Sequence, residues 1–467
     1  MNTLVHIPLD ATTALINTGF SMKEIEESYN PGKLFDKVIV LSEKDKVEDY
    51  GTLHFIQAEI KDFTKIIREN KPIAIRANAG FYCSDIASAC RVQGIPLMIS
   101  VHDSSKEKIS QSIKYADKIV YISEKVKQVI KEKMDIPDRK FLYLPRFVDL
   151  ELFKRKNDVK KFNELNKKYG QGKHILHVGR KVEEKNLETT ICALKYLPEE
   201  YKLIMVGLGD CSIYKKLVEK EGLVERVFLE GGISHGELVN YYSWCDCMCT
   251  PSRWEGFGKV FIEAAACQCM IVTSDIAPMN EYLTHEETAI LIKDYENPEE
   301  IAKGIKRACC NSPEIDNMRI RARQVAERFS KENADNVERE NYNKLISDGV
   351  DKESEKDLVE EYRKLKKDII LYGAGKNGMK FCNELKKHGR HPIFFIDQSE
   401  KKRNTMINNI PVKSYDDIKN YMDEAVIIVT PNDKKEIVDR LQFDGIEYME
   451  MEWALLLLEN RDITTYK

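Results

Sequence analysis

The chain has 467 residues, enough for about three domains at roughly 150 residues each. Hydrophobic residues make up 42% and charged residues 32%, with only 23 Gly and 14 Pro, which excludes collagen-like, low-complexity and wholly disordered classes. The 73 basic and 77 acidic residues leave a net charge of -4, which speaks against a dedicated nucleic-acid binder.

No apolar run approaches the roughly 18 residues that cross a bilayer, the longest stretches being as short as Ala454 to Leu458. The opening MNTLVHIPLD has neither the basic nor the apolar region of a secretory leader, so a cytoplasmic protein is expected. Its twelve cysteines are expected as thiols.

In chain order, short β-rich runs alternate with helical patterns: Lys37 to Leu41, Ile73 to Arg76, Leu97 to Val101, Lys118 to Ile122, His174 to Val178, Lys202 to Val206 and Val227 to Leu229. That alternation marks βαβ units and parallel sheets. A polar, Lys-rich stretch between Leu150 and Lys173 breaks it and separates two α/β domains, 1–160 and 161–345. A second break, Ile346 to Asp368, has 14 charged residues of 23 and reads as an exposed helix or tether, placed at 346–367. A third unit follows over 368–467, with strands expected at its start, before Asp397, and at Ala425 to Thr430.

The most informative segment is Arg253-Trp-Glu-Gly-Phe-Gly-Lys-Val-Phe-Ile-Glu263, after a strand-like Asp246 to Thr250. Glu255 falls in a Gly-rich loop and Glu263 in the opening turns of a helix. Such a loop can present the N–H groups of Gly256, Phe257 and Gly258 to an anion, aided by the helix N-terminus. Upstream, His174-Ile-Leu-His-Val-Gly-Arg-Lys-Val-Glu-Glu-Lys-Asn186 is a strand ending at Gly179 with Arg180 and Lys185 just beyond. A planar fork of donors and a compact point charge together suit a diphosphate whose bond to a sugar is breaking. Read without partners, Glu255 and Glu263 are only a surface acid and a helix-start acid.

The strings HVGRKVEEKN, IMVGLGD, VFLEGGISHGELVNYYSWCD and PSRWEGFGKVFIEAAACQCMIVTSD resemble glycosyltransferase family 4, the retaining, metal-independent enzymes of the GT-B fold. The resemblance implies an α/β protein with two facing Rossmann-like domains and, here, a third small Rossmann-like C-terminal domain. It implies catalytic roles for Arg180, Lys185, Glu255 and His102, and a donor site including Gly179, Gly207, Gly256, Phe257, Gly258, Lys259 and Glu263. Arg180 and Lys185 would contact the diphosphate, Glu263 the ribose and Glu255 the transferred sugar. His102, at the strand end of MISVHDSS, would face the donor sugar; the alternative is a hydrogen-bonded structural residue. The family's Gly-rich loop after the first strand is reduced to Gly19, and Arg146 and Phe147 replace its usual Asn-Gly. Glycines are also missing before Glu281, which leaves a donor contact from that loop open.

The implied reaction moves a hexosyl or N-acetylhexosaminyl group from a nucleoside diphosphate sugar, UDP favoured, to a glycan or lipid-linked acceptor hydroxyl in surface polysaccharide or glycoconjugate synthesis. No cofactor or metal is required. Two other functions stay open: a non-catalytic nucleotide-sugar-binding scaffold, and an NAD-dependent sugar oxidoreductase centred on the third unit.

That unit opens with Asp368-Ile-Ile-Leu-Tyr-Gly-Ala-Gly-Lys-Asn-Gly378. Gly373, Gly375 and Gly378 between strand and helix, with Asp397 about 20 residues later, form a dinucleotide fingerprint. The pattern resembles the nucleotide-binding domain of sugar acyltransferases, so a nucleotide, NAD or no ligand at all could belong there. Cys245, Cys247 and Cys249 alternate on one strand and read as buried thiols, since zinc ligands are spaced C-x2-4-C. The lysine-rich Glu124 to Lys140 reads as a solvated helix face, or as a peripheral contact with an anionic membrane surface.

Overall fold

The computed structural model describes residues 2–17, 20–78, 81–422 and 424–460, and of Phe81 the backbone alone. Gly19 lies outside the described residues. The chain divides into two compact units. One comprises Met1–Ser100, Ser110–Ile119 and Lys344–Lys467; the other comprises Val101–Ile109 and Val120–Asn343.

The first sheet contains β1 (Thr3–Ile7), β2 (Lys37–Ser42), β3 (Leu53–Gln57), β4 (Ala74–Ala77), β5 (Leu97–Val101), β6 (Lys118–Tyr121) and β7 (Phe141–Tyr143), in the order β3-β2-β1-β4-β5-β6-β7. Three of these strands, β1, β3 and β7, lie outside the apolar runs read from the sequence. β1 is fully buried yet carries His6, while β3 is only half-buried, so neither makes a clean apolar run.

The second sheet contains β8 (Lys173–Val178), β9 (Tyr201–Val206), β10 (Val227–Glu230), β11 (Cys247–Thr250), β12 (Met270–Ser274) and β13 (Ile290–Ile292), ordered β10-β9-β8-β11-β12-β13. Its registered pairs are parallel. β11 and β12 are buried throughout, as continuous apolar runs should be when helices cover both faces. Chain order therefore reverses between β8 and β11, and ligands of doubly wound sheets bind outside the carboxyl ends of strands at such a switch point.

The third sheet contains β14 (Asp368–Tyr372), β15 (Pro392–Ile396), β16 (Met406–Ile407), β17 (Ile410–Lys413), β18 (Ala425–Val429) and β19 (Tyr448–Glu450), ordered β16-β17-β15-β14-β18-β19. The single further strand expected beyond β15 is thus joined by β16, β17 and β19. These are only two, four and three residues long, with a proline in β17, so they are too short to show a strand period.

The charged segment expected as an exposed helix or tether contains the helix Lys352–Lys364, and one face of it is buried. Ser354, Leu358 and Tyr362 recur every four residues and form a buried stripe that the surrounding charge conceals. Tyr362 Oη donates to Ala89 O at 2.6 Å, and Asp351 N–H to Asp117 Oδ1 at 2.6 Å. The final helix, Met451–Glu459, buries Ala454, Leu456, Leu457 and Leu458. Trp453 stacks on Tyr115 with centroids 5.7 Å apart, and Asn460 Oδ1 accepts from Thr64 Oγ1 and Cys90 Sγ. The described residues from 344 to 460 therefore pack as one unit with the described residues before 101.

Candidate active site

The loops after β8 and β11 bring together residues far apart in sequence. Lys185 Nζ lies 2.5 Å from Glu255 Oε1, with the two side chains 11% and 10% exposed. Ser252 Oγ donates to the same carboxylate oxygen at 2.9 Å. Beneath the pair, His177 Nε2 lies 3.0 Å from Lys185 O. Burial lowers the His177 pKa to about 4, so the ring is neutral at pH 7 and this nitrogen donates to the carbonyl. Gly179 packs on the Lys185 stem, where an added Cβ would sit 3.2 Å from Lys185 Cδ. Arg180 lies elsewhere: its side chain is 68% exposed and paired with Glu184 at 2.8 Å.

Gly207 ends β9 where two backbones nearly touch. A Cβ there would lie 1.8 Å from Gly179 O, so only glycine allows the loops after β8 and β9 to meet. Lys181 reinforces the meeting, its Nζ donating to Gly207 O and Glu230 O while its N–H donates to Leu208 O at 2.7 Å.

The Glu255–Lys259 loop is held on several sides. Ser104 Oγ donates to Glu255 O at 2.9 Å and Ser123 Oγ to Gly256 O at 2.8 Å. Gly256 lies against the carbonyl of His102, so the structure brings the His102 backbone to this loop. Phe257 stacks on Tyr282 and meets Phe329 edge-on, while Tyr282 Oη donates to Phe257 O at 2.8 Å. Gly258 adopts φ 81° as N-cap of the helix Lys259–Ala266, which has no side-chain cap. The first N–H groups of that helix are the kind an anion can occupy.

Glu263, in that helix, is 3% exposed, and its Oε1 lies 3.7 Å from Lys259 Nζ. Burial raises its pKa to about 7 against the pull of Lys259, whose own pKa burial lowers. Glu281 caps a different helix: its carboxylate accepts from the N–H groups of Glu124 and Lys125 at 2.9 and 2.8 Å. In that helix, Glu124–Lys133, Lys127 and Lys131 pair with Asp138, and Lys133 Nζ donates to Lys106 O and Ile109 O. An open cavity of about 580 Å³ on its flank is lined by Lys125, Lys127, Lys131 and Glu281, not by Lys185 or Glu255.

In the third sheet, Gly373 and Gly375 form the turn between β14 and the helix Lys376–Lys387, and Gly378 lies in the first turn of that helix. A Cβ at Gly378 would meet Gly373 O at 1.9 Å. Asp397 Oδ2 accepts from Ala374 N–H and from Lys402 Nζ, both at 3.0 Å. Burial pushes the Asp397 pKa up, but these bonds and one from Ser399 N–H hold it below the usual carboxylate value. Asp397, the acid of the expected dinucleotide fingerprint, is therefore tied to its own loop and to a lysine.

All twelve cysteines are free thiols, nine of them buried. Cys245 and Cys269 lie 3.4 Å apart at sulfur, and Cys247 and Cys309 3.7 Å apart. Sequence reasoning missed Ser104, Ser123, His177, Lys181 and Arg253, whose contacts depend on loop closure rather than on a local pattern.

Residues 158–325 match the family model for glycosyl transferases group 1, the segment that carries the β8 and β11 loops. Residues 365–451 match the model for the C2185-like N-terminal domain, and the likeness to sugar acyltransferases has no such support. The chain is 24% identical over 249 residues to alpha-D-kanosaminyltransferase of Streptomyces kanamyceticus, covering 48% of this chain and 64% of that protein. It is 33% identical over 138 residues to an uncharacterized glycosyltransferase of Methanocaldococcus jannaschii, covering 29% and 35%. It thus spans less than two thirds of the length of either relative. Among solved structures, HepE of Anabaena in complex with UDP superposes with a TM-score of 0.62 at 17% identity, over 73% of this chain and all of that one. Sucrose-phosphate synthase of Thermosynechococcus elongatus gives 0.62 at 18%, over 74% and 100%. The fold is GT-B, with two Rossmann-like sheets and an additional C-terminal sheet. Among the described residues no helix is long and apolar enough to cross a membrane.

Proposed function

We propose that the chain is a retaining glycosyltransferase that moves a hexosyl or N-acetylhexosaminyl group from a nucleoside diphosphate sugar to an acceptor hydroxyl. The observation that carries this reading is the Lys185–Glu255 pair, 2.5 Å apart and nearly enclosed at the switch point of the second sheet. UDP is favoured as the nucleotide, in keeping with the UDP held by HepE. A glycan or lipid-linked acceptor in polysaccharide or glycoconjugate synthesis completes the reading, in the cytoplasm. A lipid-linked acceptor would bring the Glu124–Lys133 helix to an anionic membrane surface, a contact that co-sedimentation with anionic vesicles tests.

Loss of the diphosphate leaves an oxocarbenium-like sugar and a growing negative charge on the leaving group. Lys185 answers that charge from a position set by Glu255 and His177, where low solvent access strengthens each electrostatic contact. Arg180 would swing from Glu184 to the diphosphate. The Phe257 and Gly258 N–H groups and the uncapped helix start supply further donors, Gly207, Gly256 and Lys259 shape the phosphate side, and Glu263 accepts from the ribose. Glu255 and His102 would hold the transferred sugar. This division of labour assigns acceptor binding to 1–160, donor binding to 161–345 and an accessory nucleotide-binding role to 368–467.

Incubation of the purified chain with a panel of nucleotide sugars, followed by detection of nucleotide release and glycoside product, tests the reading. Release that depends on Lys185 supports it; donor binding without release from any member favours the scaffold. Reduction of NAD by a sugar substrate would instead favour the oxidoreductase, against which the engagement of Asp397 by Lys402 counts.

A further inference from the structure

We infer that Arg253 is a positioning residue that sets the place of Lys185 by stapling three loops at the carboxyl edge of the second sheet. The inference rests on the transferase reading and adds a residue to it.

Arg253 stands two residues before Glu255, where a cation invites assignment to the diphosphate. Its donors are already committed. Nε donates to Glu296 Oε1 at 2.7 Å, and Nη2 to Glu296 Oε2 at 2.9 Å and Glu188 Oε1 at 2.6 Å. Nη1 donates to Glu183 O at 2.6 Å, and the Arg253 backbone N–H to Glu184 O at 2.8 Å. Of the five guanidinium N–H groups, four are thereby spent, in the planar fork geometry that lysine cannot reproduce. The side chain is only 18% exposed.

The partners define the role. Glu183 and Glu184 immediately precede Lys185, so Arg253 grips the short 3-10 turn Glu183–Lys185 from the side of the β11 loop. Glu188 lies in the helix Leu187–Ala193, and Glu296 follows β13. The fork therefore ties the loops after β8, β11 and β13 to one another, and the Lys185 ammonium reaches Glu255 from a backbone that Arg253 fixes. A shift of about 1 Å in a charge aimed at a leaving group costs up to roughly 10²-fold in rate.

The test is steady-state kinetics, per folded enzyme, for Arg253→Lys, Glu296→Gln and the double variant, with amide hydrogen exchange at Lys185 and Asn186 as a readout independent of turnover. Arg253→Lys should lower kcat about 10- to 100-fold with donor KM changed less than about threefold. Glu296→Gln should give a smaller fall of the same kind, and the double variant should be no worse than Arg253→Lys, because both remove one staple. Exchange at the two amides should quicken about tenfold or more in Arg253→Lys. A kcat within twofold of the parent, or losses that multiply in the double variant, overturns the inference. If the parent chain transfers no sugar, the transferase reading falls, and unchanged exchange at Lys185 and Asn186 would then overturn the staple separately.

Discussion

The ammonium of Lys185 and the carboxylate of Glu255, separated by 70 positions in the chain, lie 2.5 Å apart with Ser252 Oγ on the same oxygen. Each is desolvated enough that losing one strands the other. Lys185→Ala should lower kcat for donor cleavage by about 10²-fold or more, as removal of one electrostatic donor at a leaving group does. Glu255→Gln should also reduce it, and the double variant should fall short of the product of the two losses. Steady-state assays of nucleotide release check this, and full turnover by Lys185→Ala refutes the assignment.

Gly207 tests the backbone contact. Gly207→Ala places a methyl group 1.8 Å from Gly179 O, so the loops after β8 and β9 must part. The expected outcome is a loss of roughly 2 kcal/mol or more in stability and weakened nucleotide binding. Thermal denaturation with and without UDP reads both.

Glu263 gives a pH signature. Its folded pKa of about 7 stands above its ordinary 4.5, opposite to a salt-bridged acid. Between those values the unfolded chain has released the proton and the folded chain has kept it, so stability falls as pH rises across that window. Above about 7 the whole penalty is present. Glu263→Gln should therefore gain stability relative to the parent from pH 5 to pH 8, by at most about 3 kcal/mol. Denaturant titrations at several pH values show whether the difference grows.

Leu457, fully buried in the last helix, probes the packing of the C-terminal sheet with the first. Leu457→Ala should cost about 2–5 kcal/mol through the cavity it leaves. Because Asn460 of the same segment accepts from Thr64 and Cys90, the destabilised transition should also report from residues before 101. Hydrogen exchange of the Ile60–Asn70 helix measures it; unchanged protection there would show that the two parts open independently.

Much of this protein was legible in one dimension. Buried parallel strands such as β8, β9 and β11 stand out as largely apolar runs, and the Gly179 and Gly256–Gly258 turns are local sequence punctuation beside the expected charges. The strands β16 and β17 were not legible, because runs of two and four residues are too short to show a period. The burial of Ser354, Leu358 and Tyr362 was hidden by the acids and lysines around them, so a packed helix read as a tether.

By itself the sequence determined the alternation of parallel strands and helices, the glycine turns and the chemical character of the loops, since strand burial, helix period and glycine conformation are short-range properties. Only the tertiary structure decided that Lys185 meets Glu255, that Arg253 is a staple rather than a phosphate ligand, that Glu263 is sealed from water and that Asp397 is spent on Lys402. The Lys185 and Arg253 contacts depend on which strand ends adjoin in a parallel sheet, and such neighbours are joined through crossovers dozens of residues long, whereas Asp397 and Lys402 meet within one loop. No local pattern encodes which of them will share a charge.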